Sequence, residues 1–206
     1  TSSTAAIGRS GPNGRALTEK DWNSESKHPY SYAKTEAEKR AWDFSREMDL
    51  DMVVMNPTAV IGPYFHRHTP STFLFDKILK NELPRLPPQT FGYVDVRDVA
   101  LAHIKALESP KADGHRIILS NKELWQKEVS VILREGGFKA PKTSFSLPVA
   151  KLLSYFVPAL KPARKFLGKA MVKDSSKAED LLGIKYRDVS ESILEDAKSL
   201  TEFNKI

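Results

Sequence analysis

The 206 residues contain no cysteine. That absence excludes a disulfide framework, thiolate zinc sites and cysteine nucleophiles, and it fits a reducing compartment, so a cytoplasmic location is expected. A continuous apolar run of about eighteen residues, the length that spans a bilayer, is also lacking. The most apolar stretch, Leu147 to Leu160, is interrupted by Pro148, Lys151 and Pro158. It reads as a helix in water, with contact on a membrane surface as the alternative. No internal repeat is present. An excess of 32 Lys and Arg over 26 Asp and Glu sets a net charge of +6. Its densest patch, Lys161 to Lys173, lacks the aromatic ladder and the metal-finger spacing of nucleic-acid modules, so no nucleic-acid partner is expected. An apolar content of 40% with 9% aromatics is enough for a core. One large domain or two small ones fits the length.

Residues 8 to 29 hold three glycines and two prolines and read as a long loop, a kind of segment that is usually functional inside a compact domain. From Ser31 to Met48 a helix follows. Ala33, Ala37, Ala41, Phe44 and Met48 recur at spacings of three and four and form its apolar face, leaving Glu36, Glu38, Lys39 and Arg40 on the other. Asp51 to Asn56, closed by Pro57, has the valine-rich pattern of a buried parallel strand. Helices are expected over Thr72 to Lys80, Asp95 to Glu108, Lys122 to Arg134 and Ser175 to Leu182. Arg116 to Ser120 reads as a second strand. Asp188 and Glu191 have capping-box spacing and open a last helix, with Ile193, Leu194, Ala197 and Leu200 on its apolar face. Helices alternating with strands indicate an α/β layer around a parallel sheet. Two strands alone would leave unpaired edges, so further strands are expected from a segment that precedes this sequence.

Tyr30 and Lys34 lie four residues apart at the start of the alanine-rich helix. Positions i and i+4 share a helix face, with Cβ atoms roughly 6 Å apart. An ammonium beside a phenol favours the phenolate, which suits a proton donor and acceptor working near neutral pH. Ser3, 27 residues before Tyr30, supplies a hydroxyl able to hydrogen-bond a carbonyl and steady the charge that develops on it. The strand ending in Asn56-Pro57-Thr58 points its C-terminal end toward the place where open α/β sheets bind ligands.

The set TSS, YSYAKTEAEKRAW, VVMNPTAVIGP and FGYVDVRDVALAHI, with the tail DSSKAEDLLGIKY, resembles the extended short-chain dehydrogenases, which belong to the NAD-dependent epimerase/dehydratase superfamily. The nearest likeness is to the dihydroflavonol-reductase and cinnamoyl-CoA-reductase group. The resemblance implies an α/β fold: the C-terminal part of a Rossmann-type doubly wound sheet (1–63 and 91–120) with a smaller, mostly helical substrate lobe (64–90 and 121–206). It implies Ser3 as the carbonyl-binding catalytic serine, Tyr30 as proton donor, and Lys34 as the partner that tunes Tyr30 and bonds the nicotinamide ribose. Pro57, Thr58 and Val60 would lie against the nicotinamide end of the cofactor and Ser71 near its phosphates. The implied cofactor is NADP, with NAD as the alternative. The partner would be a small-molecule carbonyl or alcohol. The strand, G-x-x-G-x-x-G turn and helix that open this family's fold are absent, so the chain reads as the family's C-terminal two-thirds.

Tyr32, two residues from Lys34, would face away and serve packing or the substrate side. His28, His66 and His68 are loop histidines, His103 a structural one, and no metal site is expected. Asp95, Arg97 and Asp98 read as a structural turn before a helix. Trp22, Trp42 and Trp125 are expected to pack, and Phe65, Phe75 and Phe91 to line an apolar substrate pocket. Other readings within the superfamily are a 3β-hydroxysteroid or sterol dehydrogenase and a sugar-nucleotide epimerase. The non-enzymatic alternative is a catalytically silent dinucleotide-binding scaffold. The oligomeric state stays open.

Overall fold

The structure, a computed structural model, describes residues 1–25, 27–65, 69, 71–157, 160–161 and 163–204. The fold is α/β. A short helix α1 (Thr4–Ile7) leads through a loop with one 3-10 turn to the long helix α2 (Pro29–Glu47). Strands β1 (Val54–Pro57) and β2 (Ala59–Ile61) come next, then α3 (Phe73–Leu79), β3 (Thr90–Asp95), α4 (Val96–Glu108), β4 (Arg116–Leu119) and β5 (Lys122–Trp125). Helices α5 (Gln126–Glu135), α6 (Leu147–Phe156), α7 (Ser176–Leu182) and α8 (Val189–Asn204) complete the chain.

β1 pairs in parallel with β4, Val54 opposite Arg116 and Asn56 opposite Ile118. β2 pairs in parallel with β3, and β3 with β5 antiparallel. The two expected strands are therefore joined by three others. β2 and β3 are short runs beside proline- and glycine-rich sequence, and β5 occupies the first four residues of the expected Lys122–Arg134 helix. β2 and β5, three and four residues long, carry too few residues to show a period, and the six-residue β3 buries its residues without strict alternation. Their pairing partners decide all three.

Alternation along β1 and β4 separates two environments. Met55, Ile117 and Leu119 pack with Ala102 and Ala106 of α4 and with Ala178, Leu182 and Ile184. On the opposite side Ile118 meets Ile7 and Leu17, and Asn56 and Arg116 turn toward α2. A second core joins β2, β3 and β5 to α3, α5 and α8 through Ile61, Phe75, Tyr93, Leu124, Leu133 and Ile193. Phe75 belongs to that core, its ring edge-on to Tyr93 at 5.9 Å. Fully buried, it is not a pocket-lining residue, contrary to the expectation from sequence.

α2 is oriented opposite to the expected face. Ser31, Thr35, Glu38 and Ser45 are buried, whereas Ala33 and Ala37 are exposed and Phe44 and Met48 more than half so. The reason is polar. Glu38 accepts from the Arg116 guanidinium and, at 2.8 Å, from the Asn56 amide. Arg116 also donates to the carbonyls of Glu19 (2.8 Å) and Asp21 (2.7 Å) and stacks 3.7 Å from the Trp22 ring centroid. A buried carboxylate needs such partners, and they outrank the alanine stripe in setting the helix's rotation.

The C-terminal helix docks as its capping box suggests: Asp188 Oδ1 accepts from the amides of Ser190 and Glu191 at 2.8 and 3.1 Å. Ile193, Ala197 and Leu200 are fully buried. Asp95, Arg97 and Asp98 hold this helix and the turn before it. Ser192 Oγ donates to Asp95 at 2.7 Å, Arg97 bridges Asp95 and Glu195, and Arg187 N donates to Asp98 at 2.9 Å. Asp196 is fully buried and accepts from Gly62 N at 3.3 Å, at a φ of +126° that favours glycine. Burial, with Asp95 nearby, raises its carboxyl from an ordinary 3.8 to about 7. The folded state thus binds this proton more tightly than the unfolded chain. The contribution is fully present below about pH 4 and is lost as pH rises through about 7. Asp196→Asn keeps the acceptor for Gly62 and removes the titration. Its stability relative to the parent is expected to rise between pH 5 and 8 by about 3 kcal/mol at most, one unit of pKa being about 1.36 kcal/mol and about two units lying between pH 5 and 7. Urea unfolding of both proteins at the two pH values measures this, and a difference independent of pH would refute it.

Candidate active site

The site begins where the N-terminal segment runs beside β1. Ser2 N donates to the Met55 carbonyl at 2.8 Å, and Thr4 Oγ1 donates to that of Pro57 at 3.2 Å. Ser3 between them is half-buried and caps α1, its Oγ accepting from Ala5 N at 3.1 Å. The Asn56 amide donates both to the Ser3 carbonyl, at 3.2 Å, and to Glu38. One side chain at the end of β1 therefore ties Ser3 to α2, and α1 packs on α2 along the same seam.

α2 opens at Pro29, with His28 in the N-cap position and its Nδ1 donating to Ser31 Oγ at 3.0 Å. Proline suits the first helical position because its missing N–H has no intrahelical partner there. Tyr30 is the second residue of the helix and half exposed, and Lys34 sits one turn on, half-buried. Among the described residues neither the Tyr30 hydroxyl nor the Lys34 ammonium has a hydrogen-bond or ion-pair partner. Glu38, a further turn along, is the anchored residue of this i, i+4, i+8 row. Tyr32 is half exposed.

At the C-terminal end of β1, Pro57 is buried. Thr58 N and Oγ1 both donate to the Leu119 carbonyl, at 3.0 and 3.2 Å. Thr58 lies so close to β3 that a Cβ on Gly92 would stand 2.7 Å from its methyl group, so only glycine fits there. Val60 is half-buried and packs against the core beside β1 and β4. Ser71 lies half-buried in the turn before α3, on a different segment from the others. His66 and His68 lie outside the described residues. His103 is tied on both nitrogens, to Val99 O at 2.8 Å and Thr1 Oγ1 at 2.7 Å. Among the described residues no three acidic or histidine side chains group as a metal site.

Residues beyond the expected set shape the surroundings. Arg9 donates to His28 Nε2 at 3.0 Å and stacks 4.9 Å from the Phe166 ring centroid. An arginine only donates, so Nε2 accepts and the imidazole is neutral; burial first, and the Arg9 charge second, lower its pKa. Lys173 gives its ammonium to the Arg9 carbonyl at 2.9 Å, and burial lowers its pKa to about 8. Arg9, Gly11, Asn23, Glu25 and Phe166 help to line a concavity of about 430 Å³ inside the loop. Ser3, Tyr30 and Lys34 do not line it. The i, i+8 spacing of Tyr30 and Glu38 is the sequence signal that could have pointed to the anchor. Nothing in the sequence pairs Asn56 or Arg116 with it.

The profile of the NAD dependent epimerase/dehydratase family matches residues 1–120. The chain belongs to that family. Its similar proteins include the NADPH-dependent methylglyoxal reductase GRE2 of Saccharomyces cerevisiae, 30% identical over 98% of this chain and 63% of the yeast protein. Cinnamoyl-CoA reductase 2 of Arabidopsis thaliana is 33% identical over 88% of this chain and 50% of the plant protein. Among solved structures, Gre2 of Candida albicans in complex with NADPH superposes with a TM-score of 0.73 at 26% identity. That match takes in 98% of this chain and 63% of the other. The chain thus spans about half to two-thirds of the length of these family members. Its α/β fold is that of Rossmann-type reductases and epimerases in the family.

Proposed function

We propose that the whole protein is an NADP(H)-dependent reductase that interconverts a small carbonyl compound and its alcohol. The observation that carries this reading is the row on α2: Tyr30 and Lys34 one turn apart and uncommitted, on a helix fixed by Glu38. The named relatives support it, since their names specify reductases and one specifies NADPH. NAD is the alternative cofactor. The reading keeps the division into a dinucleotide-binding part (1–63 and 91–120) and a substrate lobe (64–90 and 121–206).

The residues present fit a nicotinamide riboside. A half-buried ammonium without a partner is costly unless a ligand or water satisfies it, and Lys34 would meet that need with the ribose hydroxyls. Pro57, Thr58 and Val60 would border the nicotinamide end, with Ser71 toward the phosphates. When bound, the cofactor supplies the hydride. Ser3 Oγ donates its hydrogen to the substrate carbonyl oxygen as charge develops there, while still accepting from Ala5 N. Tyr30 delivers the proton to that oxygen, and the Lys34 ammonium stabilises the phenolate left behind. Asn56 and Glu38 touch neither reactant and act by keeping Ser3 and α2 in register.

The test is NADPH consumption by the full-length protein on a panel of α-oxoaldehydes and aromatic aldehydes, compared with its Ser3→Ala variant. A loss of about 10²–10³ in kcat with little change in NADPH affinity is expected of a group acting in the transition state. Loss of NADPH affinity with kcat intact would assign Ser3 to cofactor binding. NADPH binding without turnover on any carbonyl would favour the silent scaffold.

A further inference from the structure

α6 (Leu147–Phe156) has two unlike sides. Ala150 and Ser154 are fully buried against the rest of the fold, and Ser154 Oγ is satisfied by the Lys151 carbonyl at 2.6 Å. Val149, Leu152 and Phe156 form a stripe on the opposite side with Tyr155 alongside. Leu152 is 61% exposed and Phe156 75%. Isolated surface leucines are common, but a contiguous apolar stripe on one helix marks an interaction site.

The segment that carries the stripe has charge of one sign. Residues 136–173 carry eight Lys and Arg and not one Asp or Glu, so with a net +6 for the whole chain the remainder is net negative. Folding does little to neutralise the span. Among the described residues Lys151, Lys161, Arg164 and Lys169 are exposed and have no carboxylate partner. Lys165 pairs with Glu25 at 3.1 Å and remains 70% exposed. Arg164 lies 4.5 Å from the Tyr155 ring centroid, which sets a guanidinium directly beside the apolar face.

We propose that this face seats the protein on an anionic membrane surface, with α6 lying in the headgroup plane. A ten-residue helix is far too short to span a bilayer, and no described helix is long and apolar enough to cross one. An apolar stripe flanked by cations is the pattern of an interfacial helix: the stripe enters the headgroup boundary and the cations meet lipid phosphates and carboxylates. Tyr155 has the apolar body and polar tip suited to that depth. Nucleic acid would satisfy the cations and leave Leu152 and Phe156 in water. Two copies meeting through this face would bring Lys151 and Arg164 of each against those of the other.

Flotation of the full-length protein with phosphatidylcholine vesicles, with and without phosphatidylserine, tests the proposal. Binding at least about tenfold tighter to the phosphatidylserine vesicles is expected, weakening as salt is raised. Leu152→Asp/Phe156→Asp should reduce that binding by about tenfold or more with the thermal melt unchanged, because both side chains already face water. Lys161→Glu/Arg164→Glu should remove the preference for anionic lipid. No binding to either vesicle, equal binding to both, or binding indifferent to the Leu152 and Phe156 changes would overturn it. So would lipid-free dimerisation abolished by those same changes, which would assign the face to a second copy.

Discussion

Tyr30→Phe in the full-length protein is expected to lower kcat at least a hundredfold, within the range of about 10²–10⁴ for a positioned general acid. The variant removes one oxygen from a half-exposed ring at the start of α2 that bonds to no described residue. Stability should therefore be unchanged and NADPH affinity nearly so. That separation gives the experiment its force, because a merely structural tyrosine would show the reverse. Single-turnover kinetics with NADPH in excess, beside a thermal melt, measure both quantities. Turnover within a fewfold of the parent would remove Tyr30 from the mechanism and leave Lys34 and Ser3 as binding residues only.

Glu38→Ala is expected to have the largest effect on stability. Arg116 is 8% exposed and would keep its charge with only two carbonyls and the Trp22 ring as partners, and the Asn56 amide would lose its carboxylate. Removing one member of a buried pair costs about 3–5 kcal/mol, because the other is left uncompensated. In Glu38→Ala/Arg116→Met the orphaned charge is gone, and most of the loss should be recovered. Denaturant unfolding of the single and double variants checks this. A single-variant loss below about 1 kcal/mol would make the pair no stronger than a surface salt bridge. Because Asn56 also holds Ser3, the single variant should lose turnover beyond its loss of folded protein, whereas the double variant should regain fold before activity.

How far the site was legible follows from the kind of information each residue carries. Tyr30 and Lys34 were readable because helical spacing is local: four residues in sequence fix one face, whatever surrounds it. Asp188 was readable for the same reason, and it accepts from Ser190 N and Glu191 N as an N-cap residue does. Ser3 could be chosen only by likeness to a family motif, since its link to the helix runs through Asn56, more than fifty positions away in sequence. The rotation of α2 was misjudged because alanine spacing is a weak signal. Ala33 and Ala37 bury little area, so hydrophobic periodicity there competes with a single buried carboxylate and loses.

The amino-acid sequence by itself determined the α/β class, the helices long enough to show a period, the candidate Tyr30–Lys34 pair and the exclusion of thiol chemistry. Those properties depend on composition or on neighbours within about two helical turns. Only the tertiary structure decided that Glu38 faces inward, that Phe75 is core, and that β2, β3 and β5 are strands. It alone left Leu152 and Phe156 facing water beside Arg164. Each of these is fixed by a partner distant in the chain. A buried charge is tolerable only where another segment brings its counter-charge, and a three-residue strand exists only where another strand supplies its hydrogen bonds.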